Sequence, residues 1–441
     1  MLAVDNAGRS REAGTGDAGV TRLGVEVMHL ARTAVLVAGA LIIARPAVAQ
    51  TIAEHPLGLS EALRIAASER PELVAAEAQI RASAQRPAIV GALDDPMVSA
   101  SIDHKPFGMS GMDWSVTVEQ RFPLGSLRRN RRQSALAEIE RFRAEADDRE
   151  LAVALETISA FVMLQQRRRS ADVLRERLEL ARAIVAAANA RYSGGTGEQA
   201  DVLRAEVEVS RLEAQLQASS GQVRAAEAML NASLGRQVDS AVPALRPPVL
   251  DRPVPTLAAI QARLPSLPRL AAGRAEIARA EADVRVMRNM STPMLTVRTG
   301  PAYTMSEGYG AMAMVGVSVP IWGSRLRAGV REAEEMRRMA EADLQAMTRM
   351  AEGEAAQALN ELEAVSALQR SLRDEIIPRA RFAIEPALAG YAAGRLPLVS
   401  VVEALQTLWS VEMELIEADM QVGLAWARLG RAIGSFEMIT L

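Results

Sequence analysis

The chain has 441 residues, a net charge of −3, no cysteine and only 3% aromatic residues. Absence of cysteine excludes disulfides, thiolate metal sites and cysteine nucleophiles, and a near-neutral charge lacks the basic excess that nucleic-acid binding requires. So few bulky side chains cannot fill several conventional globular cores, so the length is expected in long helices packed through small residues.

The first element in chain order is an address. Met28 to Gln50 has a short basic start, an apolar run from Ala34 to Ile43 and the small-residue pattern Ala47-Val48-Ala49, which reads as a secretory signal cleaved after Ala49. Residues 1–27 are polar and Gly-rich, and Met28 reads as the true start. No cysteine follows the cleavage point, so an N-terminal lipid anchor is not expected. No later stretch supplies the roughly eighteen apolar residues of a membrane helix, so a mature chain that crosses a membrane must use strands.

The spacing then predicts a helix over about Ser60 to Val90 and strands over Met97–His104 and Asp113–Phe122. Trp114, Val116, Val118 and Phe122 share one parity, and Ser115, Thr117, Glu119 and Arg121 the other. Such alternation suits a soluble antiparallel sheet on a core, or an outer-membrane barrel with lipid outside and water within. A helical pattern follows from Leu127 to Arg191, a rod of about 100 Å at 1.5 Å per residue. The turn "YSGGTGEQADVL" leads into another helix ending near Gly235, and a Pro-rich linker covers residues 242–255.

Beyond the linker the chain repeats itself. "PELVAAEAQI" from Pro71 matches "PRLAAGRAEI" from Pro268, and at the same shift Pro123 matches Pro320. Farther on Tyr192 meets Tyr391, Gly195 meets Gly394 and Gly235 meets Gly434. The seam Val202, Ala205, Val209, Leu212 recurs as Val401, Ala404, Leu408, Val411, stepping by 3 and 4 in both copies. The expected organisation is a leader over 1–49, a first repeat over 50–241, the linker, and a second repeat over 256–441. Each chain then carries four strands, too few to close a barrel of useful width, whereas three chains supply twelve.

Together these features resemble the TolC-like outer-membrane efflux family, especially members serving metal and drug pumps of the resistance-nodulation-division class. The resemblance runs from about Leu57 to Gly434 and rests on "ERPELVAAEAQI", "VEQRFPLGSLRRNRR", and the paired "ARYSGGTGEQADVLRAE" and "AGYAAGRLPLVSVVEALQ". It implies a mainly α fold with a membrane β part: long antiparallel hairpins forming a periplasmic α-barrel, and a 12-stranded β-barrel closed by a homotrimer in outer-membrane lipid. It implies docking by a periplasmic adaptor and an inner-membrane RND-type pump, with no cofactor. It also implies a gate at the hairpin tips, where Tyr391 bonds Asp201. Glu403 falls on one ring acid and Ser400 replaces the other. Leu396 stands where some members carry arginine, leaving Arg395 or Arg204 for a different latch. Gly195 and Gly394 are the tip turns. On charge alone, Asp201 and Glu403 equally suit solvated helix-start acids.

Catalysis is not expected. The histidines are His29, His55 and His104, with no clustered spacing, and "GGTGEQ" lacks the Lys-Ser/Thr of a phosphate loop. Met97, Met294, Met312 and Met314 lie on the polar parity, where thioethers serve either as soft-metal contacts or as adaptable packing. Two other readings remain open at this level: the exit duct of a type I secretion system, and a soluble periplasmic coiled-coil scaffold.

Overall fold

The structure, a computed structural model, describes residues 55–104, 111–248 and 253–436. The signal segment lies outside them.

Where one helix is predicted over Ser60 to Val90, three short ones occur: α1 (Leu59–Glu69), α2 (Pro71–Ser83) and α3 (Arg86–Gly91). Proline explains the breaks. Pro71 forces Arg70 into an extended conformation, because a residue before proline is excluded from the helical region, and Pro87 opens α3. The first joint is pinned rather than loose. Arg70 is buried there and donates to Glu72, to Glu156 and to the Ser233 carbonyl.

The hairpin of β1 (Met97–His104) and β2 (Asp113–Pro123) follows, then α4 (Leu127–Ser193) and α5 (Gln199–Ser233). At 67 residues, α4 is about 100 Å long. It contains no proline, and nothing interrupts its hydrogen-bond ladder. The Pro-rich segment is strapped down: Leu57 and Leu245 form a parallel bridge, and Arg168 donates to the carbonyls of Val242 and Pro243.

The second half contains α6 (Leu257–Arg263), α7 (Pro268–Asn289), β3 (Met294–Thr304), β4 (Gly308–Ser318) and α8 (Gly323–Ser371). A π-turn at Leu372–Ile376 then leads to α9 (Ile377–Phe382), α10 (Ile384–Ala392) and α11 (Leu398–Ile433). The counterpart of α4 is therefore broken. Pro378 and Pro386 each remove a ladder donor, and the widened π-turn absorbs the lost register.

Two cores hold the helices together. One surrounds Phe161, Leu230, Leu362 and Trp426 and is lined by Ala351, Ala355, Ala358, Ala425 and Ala427, small residues that let long helices approach closely. The other lies toward the hairpin tips and contains Leu178, Val202, Ala205, Leu212, Val401 and Trp409. In the first copy the predicted seam is core, with Val202, Ala205 and Leu212 buried and Val209 packed against them. In the second Val401 is buried and Ala404 packs beside it, but the core then runs through Leu405 and Trp409 rather than the expected Leu408 and Val411.

All four strands form one antiparallel sheet in the order β1-β2-β3-β4, so β2 and β3 join the two halves and β1 and β4 are open edges.

Candidate functional site: a two-faced sheet and the paired hairpin tips

Antiparallel register sorts the side chains onto faces, because directly opposed residues point the same way. Met97, Glu119, Arg298 and Met314 form one continuous cross-strand row. That face also carries Ser99, Thr117, Ser101 and Ser115, whose hydroxyls pair at 3.0 and 2.8 Å. Glu119 accepts from both Arg121 and Arg298, joining the first-half hairpin to the second. Ser115, Thr117 and Glu119 are buried, whereas Val98, Val116, Val118, Val315 and Val317 on the opposite face are exposed. The sheet is inside-out by soluble standards: its polar face holds the buried residues of β2 and its apolar face is exposed.

The apolar face has marked ends. Trp114 stacks on Tyr303 at 6.3 Å and Tyr303 meets Tyr309 at 5.0 Å, forming an aromatic cluster at the loop end. Phe122 lies eight residues below Trp114 on the same parity, about 26 Å at 3.3 Å per residue. An outer-membrane barrel presents an apolar band of about 25 Å between aromatic girdles.

The four candidate methionines sit on the polar face, but the register does not gather them. Met97 and Met314 stand on the two outer strands, about 14 Å apart at 4.8 Å per strand. No group of three or more His, Asp or Glu that could hold a metal exists among the described residues.

At the far ends of the helices, the two tips share one backbone design. Gly195 and Gly394 take φ of +71° and +70°, which an L side chain resists, so each helix ends on a left-handed glycine. Each glycine N–H bonds the tyrosine carbonyl three residues back, Gly195 to Tyr192 and Gly394 to Tyr391, both at 3.0 Å. No phosphate cradle results, since those N–H groups are already used.

The side chains differ by an exchange. In the first tip Arg191 faces Gly197, where an added Cβ would lie 3.0 Å from the Arg191 Cβ. In the second tip the equivalent positions are Gly390 and Leu396, where a Cβ on Gly390 would lie 2.6 Å from the leucine. One large and one minimal residue span each turn, in opposite order. Arg191, the large residue of the first tip, reaches across to the second. Its guanidinium lies 4.3 Å from the Tyr391 ring centroid and donates to the Tyr391 carbonyl.

This arrangement places the predicted gate residues as follows. Tyr391 is buried, and its hydroxyl has no hydrogen-bond partner among the described residues. Asp201, in the first turn of α5, is half-buried, and within one chain no Asp201–Tyr391 hydrogen bond forms. Arg204, Arg395 and Glu403 are exposed and Ser400 is half-buried, with no side-chain bond joining any of them to Tyr391. Besides the apolar core, Arg191–Tyr391 joins the tips within the chain, a contact that sequence reasoning missed. Its signal was present in the repeat, where Gly390 replaces Arg191.

The model of the family described as outer membrane efflux protein matches residues 62–236 and again 259–435. The chain belongs to the outer membrane efflux protein family. Relatives include the cobalt-zinc-cadmium resistance protein CzcC of Cupriavidus metallidurans, 27% identical over 56% of this chain. That match spans 59% of the relative's own length. The outer membrane efflux protein BepC of Brucella suis is 24% identical over 92% of this chain and 90% of its own. Among solved structures, CusC superposes with a TM-score of 0.76 at 14% identity, covering 86% of this chain and 92% of that one. The MtrE channel of Neisseria gonorrhoeae gives 0.73 at 16% identity, covering 87% and 90%. Such identities establish the shared fold. Members of this family are channels rather than enzymes, in keeping with the lack of any catalytic constellation in the sequence.

Proposed function

We propose that three copies of this chain close a twelve-stranded barrel in the outer membrane and form the exit duct of a tripartite pump exporting small molecules, drugs or metal ions. What carries the reading is the inside-out sheet with two open edges. An exposed apolar face and unpaired edge strands are both liabilities in water. Lipid removes the first, and pairing β4 of one protomer with β1 of the next removes the second. A soluble scaffold would leave both.

In the assembled duct, a periplasmic adaptor and an inner-membrane pump would supply the driving force, and the tips would gate the helical end. Tyr391 and Arg191 would hold the two hairpins of one protomer together. The unpaired Tyr391 hydroxyl is available to an acceptor such as Asp201 once the hairpins assemble. CzcC is a cobalt-zinc-cadmium resistance protein, and similarity to it favours metal ions as the cargo.

Deletion of the gene should sensitise cells to the exported cargo. Growth on cobalt, zinc and cadmium salts against a panel of drugs identifies its class, and unchanged growth on all of them would sink the export reading. Purified chain should sediment as a trimer in detergent; a monomer in the soluble periplasmic fraction would refute membrane closure.

A further inference from the structure

The same edge of the sheet from which α4 and α8 depart carries an excess of unpaired positive charge. The first six residues of α4 include Arg128, Arg129, Arg131 and Arg132, and α8 begins with Arg325 and Arg327, followed by Arg331. Pro123 and Ser318 both pair with Met294, which puts the two helix starts at one level. All seven arginines are exposed and none makes an ion pair among the described residues; Arg128 donates only to the Gly91 carbonyl and Arg331 to that of Arg327. Neither helix has an acid in its first turn, although the helix macrodipole favours acids there. Glu332, beside Arg331, and Asp94 and Asp95, just before β1, are the nearby acids that form no ion pair among the described residues, while Glu334 and Glu335 pair with Arg288 and Arg338. Even if all three pair with collar arginines, four of the seven cations per chain remain unbalanced.

The charges begin where the apolar band stops. Val319, Ile321 and Trp322 are among the most exposed apolar residues of the chain, and Arg325 follows three residues later. On the β2 side, Phe122 and Leu124 end the band and Arg128 follows. Arginine breaks the local helix rule at both sites together, which signals a demand from outside the chain.

We propose that this collar binds the phosphates of anionic phospholipid in the leaflet facing the helices. The inference rests on the membrane placement of the sheet. Guanidinium forks match phosphate oxygens bidentately, and seven of them around an apolar band present charge at headgroup depth. The occupant is a lipid rather than a protein because the collar adjoins the apolar edge and spans both helix starts. A protein partner or intersubunit pairing is tested as a competing outcome.

The experiment uses the purified full chain in detergent micelles, supplemented with phosphatidylglycerol or phosphatidylcholine. Retained lipid is counted by native mass spectrometry and thermal midpoints are followed. The parent should retain phosphatidylglycerol several-fold over phosphatidylcholine, and the preference should shrink between about 0.05 and about 0.5 M salt. Variants R129Q/R131Q/R132Q and R325Q/R327Q/R331Q should each lose most of that preference, and arginine-to-lysine versions should keep part of it. Equal preference in parent and both glutamine variants overturns the proposal. So does a variant that loses trimer stability without added lipid but keeps its phosphatidylglycerol shift, since the arginines then pair between subunits. If the parent itself fails to fractionate with outer membranes, the membrane placement fails instead.

Discussion

The Arg191 guanidinium covers the Tyr391 ring at 4.3 Å and bonds its carbonyl, joining residues 200 positions apart at the tips of the two hairpins. A cation–π contact with a charge-assisted hydrogen bond is worth ~1–3 kcal/mol. Removing it should raise the open fraction of the duct by roughly one to two orders of magnitude. Arg191→Gln is therefore expected to increase single-channel conductance in planar bilayers more than Asp201→Ala does. Tyr391→Phe keeps the ring and should behave like the parent. A large increase in Tyr391→Phe would instead show that the hydroxyl is the latch, with Asp201 as its acceptor in the assembled trimer.

How much of this was legible in the sequence varies by level. The strands and the 67-residue helix follow from periodicity, because parity and the 3.6 repeat are properties of neighbouring residues. The breaks at Pro71, Pro378 and Pro386 were legible in principle, yet a helical pattern on both sides conceals a proline's effect. The Arg191–Tyr391 contact was not legible from either tip alone. It joins two segments through tertiary packing, and only comparing Gly390 with Arg191, and Leu396 with Gly197, exposes the exchange. The Glu119–Arg298 pair was hidden for the same reason, since register between β2 and β3 is set across the linker.

Gly300 marks a close approach that any side chain would spoil. A Cβ there would lie 1.9 Å from the Val116 carbonyl oxygen, beside Pro301, which already lacks a ladder donor. Gly300→Ala must displace β2 from β3 and should cost ~1–3 kcal/mol or more, in line with overpacking elsewhere. Gly310, on β4, has nothing within 4 Å of its Cβ position, so Gly310→Ala is the matched control. Heat-resistant trimer on gels should fall for the first and persist for the second.

Acid should weaken α7 and, to a lesser degree, its contact with α4. The Glu276 carboxylate accepts from Arg279 and lies 3.5 Å from Arg141, so the Arg279 hydrogen bond above all holds its pKa below the ordinary 4.5. A depressed carboxylate contributes stability that is present above the unfolded value and is lost as pH falls through the folded one. The thermal midpoint of the parent should therefore drop on going from about pH 6 to about pH 3. Glu276→Gln, with no charge to lose, should start lower and show a shallower drop. Identical slopes would remove Glu276 from the acid response.

The face assignment makes the most direct test of membrane embedding, because adjacent residues on one strand are expected to respond oppositely. Val315 is 70% exposed on the apolar face, and Met314 beside it lies on the polar face opposite Arg298. An arginine on the lipid side of a barrel costs ~2–4 kcal/mol near the bilayer midplane, while a lumen position is solvated. Val315→Arg should sharply reduce the amount of protein recovered in the outer membrane, and Met314→Arg should leave it close to the parent. If the sheet were instead packed on a soluble partner by its polar face, Met314→Arg would be the damaging change, so the order of the two yields decides which side faces lipid.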